Sequence, residues 1–335
     1  MKGIRRTPIA LAAVLLAGCG SGGADVDSPD VVHVATRPYI SFATLFLTDR
    51  LGFFAEEGID VEFVRVQSGA TSIPLLLRGQ LDVLPTGLSP AMLRAVAQGE
   101  RLRYVASNGW LDPEGCSPLF VAGRAGFLDG VPSPRDDDKL RLSMPNEPYL
   151  QYFVEKALSS IGVSVLDDSV ETVDLPRAAE YDALTTGMID IGTIGGAQVV
   201  QAADEHDLDL IGPMHDVIAG DQISMIAFGP RLLDEEPDLG RRFMVAYLKG
   251  VQAYREGKTG RNVAAVAEFL SFPEELARRM CWMSVQRDGV PETGTLSKYA
   301  DWFVSRGWLD RAPATNETLD LSFVRYANER LLSRP

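Results

Sequence analysis

The segment Gly79-Gln80-Leu81-Asp82-Val83 recurs later in the chain as Gly187-Met188-Ile189-Asp190-Ile191, and Gly87 and Gly195 follow the two copies at the same offset. In each copy a glycine ends a helix, an aspartate lies in a short apolar strand, and a small residue permits a tight turn toward the next helix. This connection is common in α/β proteins. The repeat therefore indicates two similar lobes only where the surrounding chain alternates strands with helices.

The chain around the first copy shows that alternation. Val31 to Ala35 and Ile59 to Val66 predict strands, and the amphipathic stretch from Phe42 to Arg50 predicts a helix between them. Ser89 and Pro90 suit the N-cap and first position of a helix that follows the first copy. We therefore predict an α/β fold with a largely parallel sheet.

The second copy lies in a similar context. Leu140 to Met144 predicts a strand before it, Ile223 to Phe228 predicts a strand after it, and the periodicity from Leu239 onward is nearly all helical. We expect the chain to leave the first lobe, build the second, and return. The lobes predicted in this way are lobe 1, residues 31–119 plus 226–335, and lobe 2, residues 120–225.

The composition is that of an ordinary globular protein, with 335 residues, 46% hydrophobic and 23% charged. This length suggests about two domains and allows a sizeable core without disulfide or metal staples. The 46 acidic and 32 basic residues give a formal charge of −14. Because binding to phosphate backbones requires clustered lysine and arginine, the composition argues against nucleic acid as a partner.

The N-terminus predicts export and a lipid anchor. Lys2, Arg5 and Arg6 precede the apolar run Ile9 to Ala17, which is typical of a secretory signal peptide and too short for a membrane span. Leu16-Ala17-Gly18-Cys19 resembles the bacterial lipobox, in which the cysteine is diacylated and becomes the first residue after cleavage. The alternative is a cysteine that follows an ordinary signal peptide by chance.

On this interpretation residues 1–18 are a lipoprotein signal peptide and residues 19–30 a flexible Gly-, Ser- and Asp-rich tether. Cleavage would change the formal charge from −14 to −17, because three basic and no acidic residues are removed. The protein is expected in the cell envelope, lipid-anchored to a membrane on its extracytoplasmic side. A disulfide between Cys116 and Cys281 is permitted there, and the sequence leaves their pairing open.

Three segments resemble one known family. They are Gly52-Phe53-Phe54-Ala55-Glu56-Glu57-Gly58-Ile59-Asp60-Val61, Gly79 to Val83, and Tyr181-Asp182-Ala183-Leu184 with Gly187 to Ile191. They are similar to segments of the solute-binding proteins of ABC importers for nitrate, sulfonates, taurine and thiamine-pyrimidine precursors. The resemblance implies a type II periplasmic-binding-protein fold with two α/β lobes, two hinge crossings and a ligand cleft. This chain departs from many relatives in carrying Gly195-Gly196-Ala197-Gln198 after the second copy, so the ligand cannot be copied from them.

The function that this resemblance implies is capture of a small organic or oxyanion-like solute by lobe closure, without a cofactor. The protein would be a monomer that works with ABC permease and ATPase subunits on separate chains. Two alternatives stay open: an enzyme of the same fold acting on a small metabolite, and a ligand-sensing surface protein. No catalytic residues are predicted. His33, His206 and His215 show no paired metal-ligand spacing, and Gly87-Leu88-Ser89-Pro90-Ala91 lacks the last glycine of a nucleophile elbow.

In open parallel sheets, ligands bind beyond the carboxyl ends of the strands. We therefore expect binding at four loops, Arg37–Ser41, Ser68–Thr71, Thr86–Ser89 and Gly195–Gln198. The Ser68 loop suits an anion at a helix start, and plain N-capping is its alternative. The full predicted set is Arg37, Tyr39, Ser41, Ser68, Gly69, Thr71, Thr86, Ser89, Asn108, Trp110, Asn146, Glu147, Tyr149, Gly195, Gly196 and Gln198.

Two members of that set indicate ligands of opposite charge. Arg37 suits a bidentate clamp on an anion, whereas Glu147 favours a cationic or amine-bearing ligand. Tyr39, Trp110 and Tyr149 are expected on the loop side, where they would sandwich a planar ring or pack the lobes. The sequence does not decide the charge of the ligand.

Overall fold

The computed structural model describes residues 29–130 and 139–333. The signal peptide and lipid-modified Cys19 predicted above lie outside the described residues. The strands are β1 (Asp30–Thr36), β2 (Ile59–Arg65), β3 (Val83–Thr86), β4 (Arg103–Trp110), β5 (Leu119–Arg124), β6 (Leu140–Ser143), β7 (Val170–Val173), β8 (Ile191–Gly195), β9 (Leu208–Pro213) and β10 (Gln222–Phe228).

Helices follow most of these strands. They are α1 (Ala43–Arg50), α2 (Phe53–Glu56), α3 (Gly69–Leu77), α4 (Pro90–Ala97), α5 (Pro148–Ser160), α6 (Arg177–Thr185), α7 (Ala197–Glu205), α8 (Met214–Val217), α9 (Pro237–Arg255), α10 (Gly260–Leu270), α11 (Glu274–Arg279), α12 (Thr293–Ser305), α13 (Thr315–Thr318) and α14 (Ser322–Leu332). No helix in the described ranges is long and apolar enough to cross a membrane. The sequence predicted most of the longer helices, but it missed β9, α2, α7 and α8, and it gave no bounds for α13 and α14.

The strands form two five-stranded sheets, and we call the parts of the molecule built on them the first and second lobes. The first sheet has the order β2-β1-β3-β10-β4 and the second β7-β6-β8-β5-β9. The prediction of an α/β fold with a largely parallel sheet is confirmed, because four of the five strands in each sheet run in one direction and only the fifth is reversed. β10 runs antiparallel to β3 and β4, and β5 runs antiparallel to β8 and β9. The reason is that β5 and β10 enter their sheets from the other lobe, without the crossover helix that a parallel strand requires.

The aspartate of each repeat forms the same two hydrogen bonds with the neighbouring strand. Asp82 donates its backbone N–H to the carbonyl of His33 in β1, and its carboxylate accepts the His33 N–H at 2.8 Å. Asp190 exchanges the same two bonds with Arg141 in β6, with its carboxylate also at 2.8 Å. Each aspartate therefore fixes the strand beside it, and the two lobes share one framework.

Each buried aspartate also pairs with an arginine. Arg231 Nη1 lies 3.3 Å from the Asp82 carboxylate, and Arg124 Nε lies 2.9 Å from that of Asp190. The aspartate side chains are 1% and 0% exposed. A carboxylate buried this deeply needs charged partners and hydrogen bonds, because desolvation otherwise makes it costly.

Two segments carry the chain between the lobes and lie side by side. Residues 111–118 join β4 to β5, and residues 214–221 join β9 to β10. Leu111 N–H donates to the Asp221 carbonyl at 3.0 Å, and Gly220 N–H donates to the Leu111 carbonyl at 2.8 Å. Cys116 in the first crossing is disulfide-bonded to Cys281, with the two Cα atoms 5.8 Å apart. The pairing that the sequence left open is thus formed in the structure.

Helix α12 packs against both lobes on the side of these crossings. The Tyr299 and Trp302 rings contact the Tyr152 ring of α5, with centroid separations of 4.9 and 5.3 Å. Arg306, which follows α12, forms an ion pair with Glu155 of α5. Buried residues of α4, α5 and α12 belong to one hydrophobic cluster, so the C-terminal part of the chain braces the second lobe against the first.

Candidate ligand-binding cleft

A cavity of about 560 Å³ lies between the two lobes. Its volume is within the range of about 300–1,000 Å³ that is typical of small-molecule sites. Most of its lining side chains are apolar, and its three charged side chains contact one another. The lining residues are Arg37, Pro38, Tyr39, Ile40, Ser41, Pro118, Leu119, Glu147, Tyr149, Leu150, Arg177, Ala178, Gly195, Gly196, Ala197, Gln198, Met214, Ile223, Leu270, Phe272, Met280 and Met283.

Three charged side chains meet in the cavity. Arg37 comes from the loop after β1, and its Nη1 lies 2.8 Å from Glu147 Oε1. Arg177, the first residue of α6, places Nη2 3.5 Å from Glu147 Oε2. The side chains of Arg37, Glu147 and Arg177 are 9%, 20% and 22% exposed. We call these three residues the charged triad; it carries one net positive charge and joins the lobes.

Tyrosine rings surround the charged triad. The Arg37 and Arg177 guanidinium carbons lie 5.1 and 5.2 Å from the centre of the Tyr39 ring, within the range of cation–π contact. Burial raises the pKa of Tyr149 to about 12, and the nearby Glu147 carboxylate adds to the shift. The Tyr149 phenol is therefore protonated at neutral pH and can donate a hydrogen bond. Its ring packs directly on Gly87, where a Cβ atom would collide with it.

Three helices of the second lobe begin at this cavity, and none has a side-chain cap. Glu147, Pro176 and Gly196 occupy the N-cap positions of α5, α6 and α7, and no hydrogen bond runs from those side chains to the helix starts. The first N–H groups of a helix lack intrahelical partners and carry partial positive charge. Gly196 has φ 56° and ψ −118°, a conformation that favours glycine.

In the first lobe, helices α3 and α4 differ in having a side-chain cap. Ser68 accepts the Thr71 N–H at 3.2 Å at the start of α3, and Ser89 accepts the Met92 N–H at 3.3 Å at the start of α4. Plain N-capping, the alternative considered above for the Ser68 loop, is therefore what the structure shows there. Gly69 lies so close to Thr86 that a Cβ atom would collide with its side chain.

Half of the residues predicted for ligand binding line the cavity. Those residues are Arg37, Tyr39, Ser41, Glu147, Tyr149, Gly195, Gly196 and Gln198. Those outside the lining are Ser68, Gly69, Thr71, Thr86, Ser89, Asn108, Trp110 and Asn146. A ligand contact for any predicted residue stays a prediction.

Several residues outside the lining have structural partners. The Asn108 amide donates to the Ser41 carbonyl at 2.7 Å, and the Trp110 indole N–H donates to the Gly220 carbonyl at 3.0 Å. Both residues lie in β4 rather than in a loop, which corrects the expectation that Trp110 is a loop-side aromatic. The Asn146 amide lies 3.4 Å from Asp174.

Sequence reasoning missed two parts of the cavity. Arg177 follows β7 and begins α6, so the rule that selected the other loops applies to it as well. The apolar wall consists of Leu270 at the end of α10, Phe272 between α10 and α11, and Met280 and Met283 after α11. The methionines around Cys281 were a usable signal, because methionine is common on adaptable binding surfaces.

The chain is similar to one protein family in sequence and to several solved proteins in structure. A family model described as NMT1/THI5 like matches residues 40–257. No curated protein sequence matches the chain. A ligand-binding component of an ABC-type import system from Staphylococcus aureus, solved with zinc bound, has a TM-score of 0.72 at 14% identity, covering 89% of this chain and 99% of that chain.

Two further solved structures are similar. The periplasmic aliphatic sulphonate-binding protein SsuA from Escherichia coli has a TM-score of 0.65 at 13% identity, covering 89% of this chain and 100% of that chain. A cysteine-to-serine mutant of DszB, in complex with biphenyl-2-sulfinic acid, has a TM-score of 0.58 at 13% identity, covering 90% of this chain and 99% of that chain. These likenesses confirm the predicted α/β, two-lobe type II periplasmic-binding-protein fold.

Proposed function

The chain belongs to the NMT1/THI5-like family, and we propose that it is the extracytoplasmic solute-binding component of an ABC importer. The observation that carries this proposal is the cavity itself, which is lined by residues of both lobes and lies beside two hydrogen-bonded crossing segments. A site shared by two lobes allows the ligand to bind tightly only when the lobes are closed. Capture then follows from the extra contacts that the ligand makes in the closed state.

Two ion pairs across the cleft support closure as the working motion. Arg37 of the first lobe pairs with Glu147 of the second inside the cavity. Outside the lining, Arg279 of α11 makes two hydrogen bonds with the Asp204 carboxylate of α7, at 2.9 and 2.5 Å. The second pair is exposed, and such pairs contribute little to stability. Breaking this second pair should therefore add little to the cost of separating the lobes.

The ligand that we propose is a small organic or oxyanion-like solute. The apolar wall suits an organic body, and the positive charged triad with three uncapped helix starts suits an anionic group. Arg37 and Glu147, which singly favour ligands of opposite charge, bind each other, and the positive charge that Arg177 adds supports the choice of an anion. The proposed ligand contacts are the predicted residues that line the cavity, together with Arg177 and the apolar wall.

The remaining parts of the proposal concern the whole protein. We propose a lipid anchor at Cys19, lobe boundaries at 31–119 plus 226–335 and 120–225, and a monomer that works with permease and ATPase subunits on separate chains. β5 begins at Leu119 and β10 at Gln222, close to the proposed boundaries. Replacement of Cys19 by Ala should release the protein from membrane fractions, and continued tight association would contradict the anchor.

A thermal-shift screen tests the binding role. A solute that binds only the folded state raises Tm in proportion to the logarithm of its concentration above Kd. We expect at least one small organic anion in a broad panel to raise Tm of the wild-type protein and to reduce its radius of gyration. Replacement of Arg37 by Gln should abolish the shift, whereas the same change at exposed Arg65 on β2 serves as the matched control.

The outcomes of this screen separate the alternatives. Absence of a Tm shift with every member of the panel would contradict the solute-binding role. The likeness to DszB keeps an enzyme of the same fold as the second candidate. Mass spectrometry of the solute after incubation distinguishes the two, because a binding protein returns it unchanged.

A further inference from the structure

The charged triad contains its own counter-ion. The two Glu147 carboxylate oxygens lie against two different arginines, Oε1 at 2.8 Å from Arg37 and Oε2 at 3.5 Å from Arg177. Glu147 therefore occupies the place between the guanidinium groups that a second ligand carboxylate or sulfonate would take. Among the described residues that line the cavity, these three are the only ones with a side chain that is charged at neutral pH.

One donor of the charged triad remains unsatisfied. Arg37 Nε is buried and has no hydrogen-bond partner, although Nη1 of the same guanidinium binds Glu147. A buried donor without a partner is costly, and an acceptor that reaches it gains a charge-assisted hydrogen bond. The net charge of the triad, one positive, is what a single anionic group beside Glu147 would balance.

We propose that Glu147 is the residue that restricts this cleft to ligands with a single negative charge. This inference rests on the proposed solute-binding function and adds a rule about the class of solute. A monoanion leaves the cavity with no net charge. A dianion leaves it with an excess negative charge, and an excess charge is disfavoured in a cavity whose lining is mostly apolar. Without Glu147 the two arginines would balance a dianion.

The test compares compounds that differ in charge but hardly in shape. Isophthalate is a dianion at pH 7.5, and its monoamide 3-carbamoylbenzoate is a monoanion of almost the same size. Benzene-1,3-disulfonate and 3-sulfamoylbenzenesulfonate form a second such pair. Isothermal calorimetry of the full chain should show the wild-type protein binding the monoanion of a pair at least about tenfold more tightly.

Variants then assign the effect to Glu147. Glu147→Gln keeps an oxygen that accepts from Arg37 but removes the charge, and the preference should disappear or reverse. Glu147→Asp keeps the charge and should retain the preference. The matched control is Asp204→Asn, which removes a carboxylate from the other ion pair between the lobes, outside the cavity lining, and should leave the ratio unchanged. Circular dichroism establishes that each variant is folded.

Each result has a definite meaning. An unchanged ratio in Glu147→Gln, or a wild-type protein that prefers the dianions, overturns the inference and leaves the solute-binding role intact. Binding of dianions by Glu147→Gln alone supports the inference. If neither protein binds any of the four compounds, the anion-binding cleft on which the inference rests is itself overturned.

Discussion

The two lobes repeat one framework but treat the helix starts that follow it in different ways. In both lobes an aspartate fixes the neighbouring strand through the same two hydrogen bonds. After the first copy, Ser89 caps α4 with its own side chain, whereas after the second copy α7 begins at Gly196 without a cap. The comparison separates two parts of the repeat. The aspartates hold the sheets, whereas the starts of α4 and α7 differ in whether a side chain accepts one of the first helix N–H groups.

The largest effect should come from the part that the lobes share. Replacement of Asp82 or Asp190 by Ala removes a buried carboxylate that accepts the N–H of the neighbouring strand and pairs with an arginine. Loss of one partner from a buried ion pair costs about 3–5 kcal/mol of unfolding free energy. We expect the larger loss at Asp190, because its partner Arg124 is 11% exposed, compared with 26% for Arg231.

Urea unfolding of both variants checks this prediction. Asp82→Asn and Asp190→Asn are the matched controls, since the amide oxygen still accepts the strand N–H, and their losses should be smaller. A loss below about 1 kcal/mol at one site and not at the other would show that the two copies are not equivalent.

A smaller effect should separate the two helix starts. Ser89→Ala removes the cap of α4 and should cost about 1 kcal/mol of stability, with no change in ligand affinity, because Ser89 is outside the cavity lining. Ala197→Asp places a carboxylate in the first turn of α7. This change should leave stability unchanged or raise it by about 0.3–1 kcal/mol, and it should weaken anion binding at the cavity.

Denaturant melts and calorimetry with the same anion measure both quantities. If Ser89→Ala weakened anion binding as much as Ala197→Asp, the proposed difference between the starts of α4 and α7 would be contradicted. A gain in stability together with a loss of anion affinity in Ala197→Asp, and not in Ser89→Ala, would support this difference.

The smallest effect concerns a buried carboxylate found in the second copy alone. Glu180 of α6 accepts the N–H of Thr193 at 2.5 Å and its hydroxyl at 2.9 Å. At the equivalent offsets the first copy has Ser72 and Pro85, and proline has no N–H to satisfy. Burial raises the pKa of Glu180, although the bonds from Thr193 oppose the shift.

A carboxyl whose pKa is raised on folding stabilises the folded state at low pH, and this contribution is lost as the pH rises through the folded pKa. Glu180→Gln, whose amide oxygen accepts both Thr193 bonds, should therefore gain Tm relative to the wild-type protein as pH increases. Melting curves between pH 4 and pH 8 measure that difference. A constant difference across this range would contradict a raised pKa.

The sequence predicted the parts of the molecule that local chemistry dictates. In each repeat the glycine permits a turn and the aspartate contacts the neighbouring strand. Because both roles are local, the spacing of these residues predicted the fold. Arg37 and Gly196 were found because they follow strands of the predicted sheets. Arg177 and Met283 were missed, the latter because only tertiary packing brings the C-terminal segment to the cleft. The direction of β10 also depends on a return from the other lobe, which no local pattern records.

The disulfide between Cys116 and Cys281 has a mechanical consequence. All strands of the second sheet lie between these two cysteines in the chain. Tension applied between residues 29 and 333 would pass from Cys116 to Cys281 through the covalent bond and bypass the second lobe. Only after reduction would the pull reach that lobe. The second lobe, together with β10 and helices α9, α10 and α11, is therefore sheltered from a force that the rest of the first lobe bears.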